Sequence, residues 1–355
     1  MDFHKMNEIL PTPSRAVAEL ARAKWDAIAK PLGSLGLLED AVVQIAALTG
    51  EANVRLRRRA VLVLCADNGV VREGISQTDS AVTMLVAENL TRRQTSVCLM
   101  ARAANAEVYP VDMGMNTEPA FEGMLSRRVG NGTANFADTE NLTPAMTRAQ
   151  AEQAVVYGIE LAQDMKARGV DIAATGEMGI GNTTTASAVF AALTGIPART
   201  VTGRGSGLSD AGLRRKVEVI ENAIARHKPD RGDPIDVLAK LGGFDIAGMA
   251  GIFIGGARCG LPILADGFIS SVAALLAVRL CHRCAPAILA SHVSAEPAGR
   301  MVLEALGLKP LICAEMRLGE GTGAVAALPL LDLALAVYHG SSSFAEIGME
   351  AYETL

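Results

Sequence analysis

The chain has 355 residues, half of them apolar, which is enough to bury a large core and excludes a disordered or low-complexity protein. A net charge of -5 provides no basic field to hold a phosphate backbone, so nucleic acid is not expected as a partner. Aromatics make up only 4 % while Gly, Ala and Met are plentiful, which points to a soluble α/β enzyme whose helices pack closely on a sheet.

The opening segment MDFHKMNEILPTPSR is polar and charged and lacks the apolar stretch of ~7 to 15 residues that a secretory signal needs, so a cytoplasmic location is expected. Residues 1–55 read as helices carrying KPLGSLG at 30–36. The basic run from Arg55 to Arg59 reads as the solvated lead-in to a buried strand rather than a ligand site. Apolar, β-prone runs at 60–65, 108–112, 171–175, 261–265 and 286–290 each meet a Gly-rich or polar turn. That is the βα grammar of a parallel sheet, and in such sheets ligands sit outside the carboxyl ends of the strands. The longest uncharged stretch, 178–198, is long enough to span a bilayer, but it begins MGIGNTTT and contains Pro197, so it reads as a loop and helix; no membrane span is expected. The segment 324–338 is again helical.

Six cysteines are scattered, and only Cys281 and Cys284 have a suggestive spacing. A structural zinc site needs a second such pair, so free thiols in a reducing compartment are the better reading. No HExxH or His/carboxylate cluster has ligand spacing, and no metal or other cofactor is expected.

Three Gly-rich segments carry the chemistry. In GEMGIGNTTT (176–185) the glycines let backbone approach a ligand, and a helix beginning near Asn182 or Thr183 would direct free N–H groups at an anion. An ordinary strand-to-helix turn with an Asn or Thr cap is the alternative, although Glu177 among three glycines is harder to explain by capping. GRGSGLSD (203–210) lacks the last interval of the dinucleotide fingerprint; it can wrap a phosphate, aided by Lys216 or Arg204, or be a plain turn. In RLGEGTGA (317–324), Glu320 has little cover from its neighbours and is either a desolvated general base or a charge complementing a helix dipole. SHVSAEP (291–297) holds a Ser, a His and an acid, but no GxSxG elbow surrounds any Ser. Hydrolysis is therefore the weaker reading, and His292 reads as structural.

Taken in order, KPLGSLG, ADNGV, EGIS, GEMGIGNTTTASA, GRGSGL, GGFDIAGMAG, DGFIS, SHVSAEP and RLGEGTGA resemble the nicotinate-nucleotide:dimethylbenzimidazole phosphoribosyltransferases of cobalamin synthesis, over nearly the whole chain. The resemblance implies a Rossmann-like parallel sheet flanked by helices over 56–320, a small helical domain from 1–55 plus 321–355, and a homodimer. It implies that Glu320 is the general base and that Glu177 lies beside the ribosyl group. It further implies that Gly179, Gly205, Ser206, Gly207, Lys216, Ser291, Ser294 and Gly319 contact the nucleotide, with Asn68, Ser76, Gln77, Met178 and Leu318 around the accepting base. The substrates implied are nicotinate mononucleotide and a benzimidazole, purine or phenolic base.

The chemistry agrees: nicotinate leaves C1′ as a pyridinium whose charge collapses on departure, and carboxylates near the ring stabilise the oxocarbenium character that develops. Departures from the family pattern cluster by the acceptor. Asn68 stands where the better-known members have His, Gln77-Thr78 replaces an aromatic-Pro pair, Ala298-Gly299 replaces Gly-His, and Ser206 and Ser209 replace Thr and Asp. A more polar acceptor pocket is therefore expected, with a phenolic-acceptor paralogue, one half of a heterodimer, or a non-catalytic nucleotide-binding subunit as alternatives.

Overall fold

A computed structural model of the protein describes residues 2–117 and 122–352. Six parallel strands form one sheet: β1 (Arg59–Ala66), β2 (Glu107–Gly114), β3 (Leu125–Ser126), β4 (Ile172–Met178), β5 (Ile263–Ala265) and β6 (Ile288–Ala290). Their order is β3-β2-β1-β4-β5-β6. This is the doubly wound Rossmann-like order, in which the chain leaves β1 toward one edge and returns to its other side with β4. The α/β fold class follows the sequence reading. β5 begins after Pro262, and β6 follows a 3-10 turn, His282–Ala287, that contains Pro286; both prolines lack the N–H a ladder needs.

β1 shows why an uninterrupted apolar run belongs at the centre. Val61, Val63 and Cys65 face one core, and Ala60, Leu62, Leu64 and Ala66 face the other, the period of two that a strand imposes. The first core is closed by helices from both termini. Arg15–Ala27, Leu37–Thr49 and Thr322–Gly340 pack together, with the Trp25 ring 4.9 Å from Tyr338 and Ile28 bridged to Ser343. The opposite core holds Arg148–Ala167 against Phe244–Cys259, and the first helix, Phe3–Ile9, adds Phe3 and Met6 to that side.

Among the described residues, Thr322–Gly340 is one helix long and apolar enough to cross a membrane. It is a packing element here: Ala324, Val325, Leu328 and Leu331 are buried, and Asp332 pairs with Arg59 at the start of β1.

Candidate active site

The strand order reverses between β1 and β4, and the residues following β1, β4, β5 and β6 surround a cleft that opens partly to solvent. Register fixes the geometry. Leu64 pairs with Glu177 and Cys65 with Met178, so Asp67 and Asn68 emerge beside the 176–185 turn.

One end of the cleft is acidic. Glu177, the penultimate residue of β4, is buried, and its Oε2 accepts from Asn182 Nδ2. Burial pushes its carboxyl well above the usual range, and Asp245, Asp266 and Glu320 push it further in the same direction. Glu320 lies across from it in a turn where Gly319, Glu320 and Gly321 all have positive φ, +60° for Glu320 itself. A non-glycine residue in that region is strained, a cost of order 1–3 kcal/mol that the surroundings must hold in place. Burial, and then Asp266, raise the Glu320 carboxyl, and its Oε2 has no hydrogen-bond partner among the described residues.

Asp266, directly after β5, holds that turn. Its Oδ1 accepts from the amides of Gly323 (2.7 Å) and Ala324 (3.0 Å), and its Oδ2 from that of Gly321 (3.1 Å). A carboxylate at these first amides of Thr322–Gly340 also complements the helix dipole. Behind Glu177, the fully buried Asp245 is pushed up to about 7 by burial, although backbone amides and Asn182 and Asn68 favour its charged form. Among the described residues no Lys or Arg pairs with Glu177, Asp245 or Glu320.

The other end is an anion cradle. The helix Asn182–Thr194 begins after Gly181 with no side-chain cap; the Asn182 and Thr184 amides donate to the Gly179 and Gly181 carbonyls at 3.0 and 2.9 Å, and Asn182 and Thr183 at this positive dipole end line the cleft. Lys216, from the helix Asp210–His227, is buried and donates from Nζ to Thr183 Oγ1 at 2.8 Å. Burial pulls its ammonium down to about 8, against the attraction of Glu296. Arg204, Gly205, Ser206 and Arg317 complete this end, and Arg204 is braced by the Leu208 carbonyl and Asp210. Between the ends, Ile75, Met178, Ile180, Phe268, Ile269 and Leu318 give the wall an apolar stretch.

A family model described as phosphoribosyltransferase matches residues 10–349. The chain belongs to this phosphoribosyltransferase family. It is 45 % identical over 335 residues to the nicotinate-nucleotide–dimethylbenzimidazole phosphoribosyltransferase of Acetivibrio thermocellus, covering 94 % of each chain. It is 46 % identical over 335 residues to the protein of the same name from a Roseiflexus species, again covering 94 % of both. Among solved structures it is similar to CobT from Thermus thermophilus, with 41 % identity, a TM-score of 0.88, and coverage of 95 % of this chain and 100 % of that one.

In this phosphoribosyltransferase the cleft gathers Glu177, Met178, Gly179, Gly205, Ser206, Ser294, Leu318, Gly319 and Glu320, with Ser76 at its edge. Five other residues singled out from sequence lie outside that lining. Lys216 sits beneath the anion end, reaching it through Thr183. Gln77 donates to the Gly207 carbonyl, so these two residues tie the 74–78 loop to the 203–210 loop rather than facing the cleft. Asn68 is buried, with Oδ1 accepting from Thr185 Oγ1 at 2.8 Å. Ser291 Oγ donates to the Ala265 carbonyl at 2.6 Å, joining the ends of β5 and β6. The demand of buried amide and hydroxyl groups for partners takes the Asn68 and Ser291 side chains away from the cleft surface. Sequence reasoning missed the parts taken by Asp245, Asp266 and Asn182. For Asp266 a signal existed, an acid directly after a strand and before a Gly.

Proposed function

We propose that the enzyme transfers the 5-phosphoribosyl group of nicotinate mononucleotide to 5,6-dimethylbenzimidazole or a related lower-ligand base, releasing nicotinate and forming an α-linked nucleotide. The observation that carries this reading is the polarity of the cleft. Glu177 and Glu320, which no Lys or Arg pairs with among the described residues, line one part of it, and the start of Asn182–Thr194 with Arg204 in the lining and Lys216 beneath it, partly balanced by Glu296, makes up another. A phosphoribosyl pyridinium has the matching dipole, with its cation at C1′ and its anion at the 5′ carbon.

The phosphate would lie against the Asn182–Thr194 start, with Lys216 and Arg204 supplying charge. The arriving pyridinium supplies the positive charge that lets Glu177 ionise beside it. As the C1′–N bond to nicotinate breaks, its electron pair neutralises the pyridinium nitrogen, and Glu177 stabilises the cationic character left on the ribosyl ring. One nitrogen of the acceptor forms the new bond from the opposite face. Glu320 Oε2, which has no competing partner among the described residues, takes the proton from the other nitrogen. A single displacement inverts C1′, hence the α-linkage.

The wall beside Glu320 supports a flat aromatic acceptor. With Asn68 and Gln77 turned to other partners, Ile75, Met178 and Leu318 remain to cover it, which favours dimethylbenzimidazole over the polar and phenolic acceptors expected from sequence. On the same reading the enzyme works as a cytoplasmic homodimer, which the family resemblance implies. The test is nicotinate release from nicotinate mononucleotide with dimethylbenzimidazole, adenine and phenol offered separately and each product identified by mass spectrometry. Release fastest with dimethylbenzimidazole is expected. Release with phenol alone would replace the acceptor assignment, and binding without release would replace the enzyme assignment.

A further inference from the structure

At the opposite end of the strands from the cleft, a second cavity is lined by Arg57, Arg58, Arg59, Arg102, Arg168 and Tyr109. The arginines come from three separated places: the lead-in to β1, the helix Ser96–Ala103, and the residue that caps Arg148–Ala167. The expectation of a merely solvated basic run covers the first of these but not their convergence with Arg102 and Arg168.

Neutralisation is partial. Arg59 is held by Asp332 and by the carbonyls of Leu56 and Ala104, and forms the floor. Arg58 donates to the Arg168 carbonyl at 3.1 Å, and the Arg168 guanidinium leans over the Tyr109 ring at 5.8 Å. Among the described residues, Arg57 and Arg102 find no side-chain hydrogen bond or ion pair. Glu107 is the one carboxylate of the described lining; it accepts from the Tyr109 hydroxyl and lies 3.9 Å from Arg93. Asp171, just behind, accepts from the backbone amides of Arg57 and Arg58 at 2.8 Å each, which sets the path of the run without engaging either guanidinium, Arg58's being held only by the Arg168 carbonyl. Four guanidiniums without a carboxylate of their own among the described residues therefore face one concavity, in a chain whose net charge is -5. An ordinary solvated face intersperses opposite charges; one that gathers like charges is relieved by a multivalent anion.

We propose that this cavity is a binding site for a linear polyphosphate group, free or as the tail of a nucleoside triphosphate. Planar guanidinium forks bond pairs of phosphate oxygens, and several forks from separate elements suit a chain of phosphates better than a single one. The site is remote from the chemistry. The eight residues of β1 separate the two, so at roughly 3.3 Å per residue the ends of the strand are about 25 Å apart. An occupant therefore does not touch the reacting groups.

The experiment is calorimetric titration of the full-length protein with tripolyphosphate, ATP and inorganic phosphate in about 150 mM salt, where diffuse surface attraction is screened. The Arg102→Ala/Arg168→Ala double variant is titrated in parallel, and thermal melting confirms its fold. Saturable binding of one tripolyphosphate, several-fold tighter than phosphate and weakened about tenfold or more in the variant, is expected, with nicotinate release unchanged. Equal ATP and tripolyphosphate affinities assign recognition to the phosphates alone, and tighter ATP adds the nucleoside; both support the site. Equal binding by wild type and variant would place the anion in the catalytic cleft, and no saturable binding would reduce the cavity to a charged surface. Either overturns the proposal.

Discussion

A Cβ added at Gly176 would stand 2.4 Å from the carbonyl oxygen of Glu320, so β4 and the turn carrying the proposed base are in direct backbone contact. The turn has no freedom to retreat, since Glu320 is held at positive φ and Asp266 grips the amides on its far side. Gly176→Ala is expected to cost about 1–3 kcal/mol of stability by overpacking. It is also expected to lower kcat by about 10²-fold through displacement of Glu320. Thermal melting and nicotinate release measured on the same preparation check both, and a variant with wild-type kcat would detach the base from this contact.

Glu320→Gln keeps the shape of the side chain and removes its proton affinity. Turnover is expected to fall by about 10²–10⁴-fold while nicotinate mononucleotide still binds. Because burial and Asp266 raise the carboxyl, the ascending limb of the wild-type pH–rate profile should lie above the ordinary glutamate range. Loss of nucleotide binding with the loss of rate would argue against a base that acts on the acceptor.

How much of this was legible in the sequence depends on how far apart the cooperating groups lie. The central strands could be read because each is a local apolar run ended by a turn; β3, two residues at the edge, has no such run. Glu320 and Glu177 could be read because glycines on both sides leave a carboxylate without local cover. Asp266 could be noticed from its place after a strand and before a Gly, but its role could not be read, because the amides that define it lie 55 to 58 residues away in the chain. Asp245 was opaque because an acid in the first turn of Phe244–Cys259 looks like a solvated charge, and only the tertiary fold buries it. The family resemblance put Asn68 and Ser291 toward the ligand, and a motif does not show that each side chain finds a buried acceptor or donor closer by.

The raised carboxyl of Glu177 makes stability depend on pH. Its folded-state proton affinity exceeds the unfolded one, so its ionisation opposes folding: the stabilisation is full below the unfolded pKa of about 4.3 and is lost as pH rises through the raised folded value. Glu177→Gln, which stays neutral, should therefore melt at higher temperature than wild type at pH 8 and lose that advantage near pH 4. The same variant should be nearly inactive. An advantage that instead grows as pH falls would show Glu177 to be charged in the empty cleft.

Lys216 and Thr183 make the corresponding case for the anion end. Lys216→Met fills a similar volume without charge, and it removes the cost of burying an ammonium whose affinity for its proton is already depressed to about 8. Stability at pH 7 should hold or rise. The loss should appear in nicotinate mononucleotide binding, by about 1.5–3 kcal/mol for a charge-assisted contact, equivalent to roughly 10- to 150-fold. Binding of nicotinate riboside, which lacks the 5′-phosphate, should be indifferent to the change, and that separates a phosphate contact from a general distortion of the cleft.

Asp266 differs from the other acids because it is spent on the backbone. Asp266→Ala leaves the amides of Gly321, Gly323 and Ala324 without their acceptor in a buried place, and each such orphan costs about 1–3 kcal/mol. Asp266→Asn is the sharper probe: it keeps the volume, but its NH₂ must face one set of amides donor to donor. Both variants should lose stability and activity together, with the asparagine variant intermediate in stability, because the strained conformation of Glu320 persists only while its neighbours are held. A variant that lost stability yet kept kcat would mean that the turn holds Glu320 without Asp266, and the position of the base would then rest on its contact with Gly176 alone.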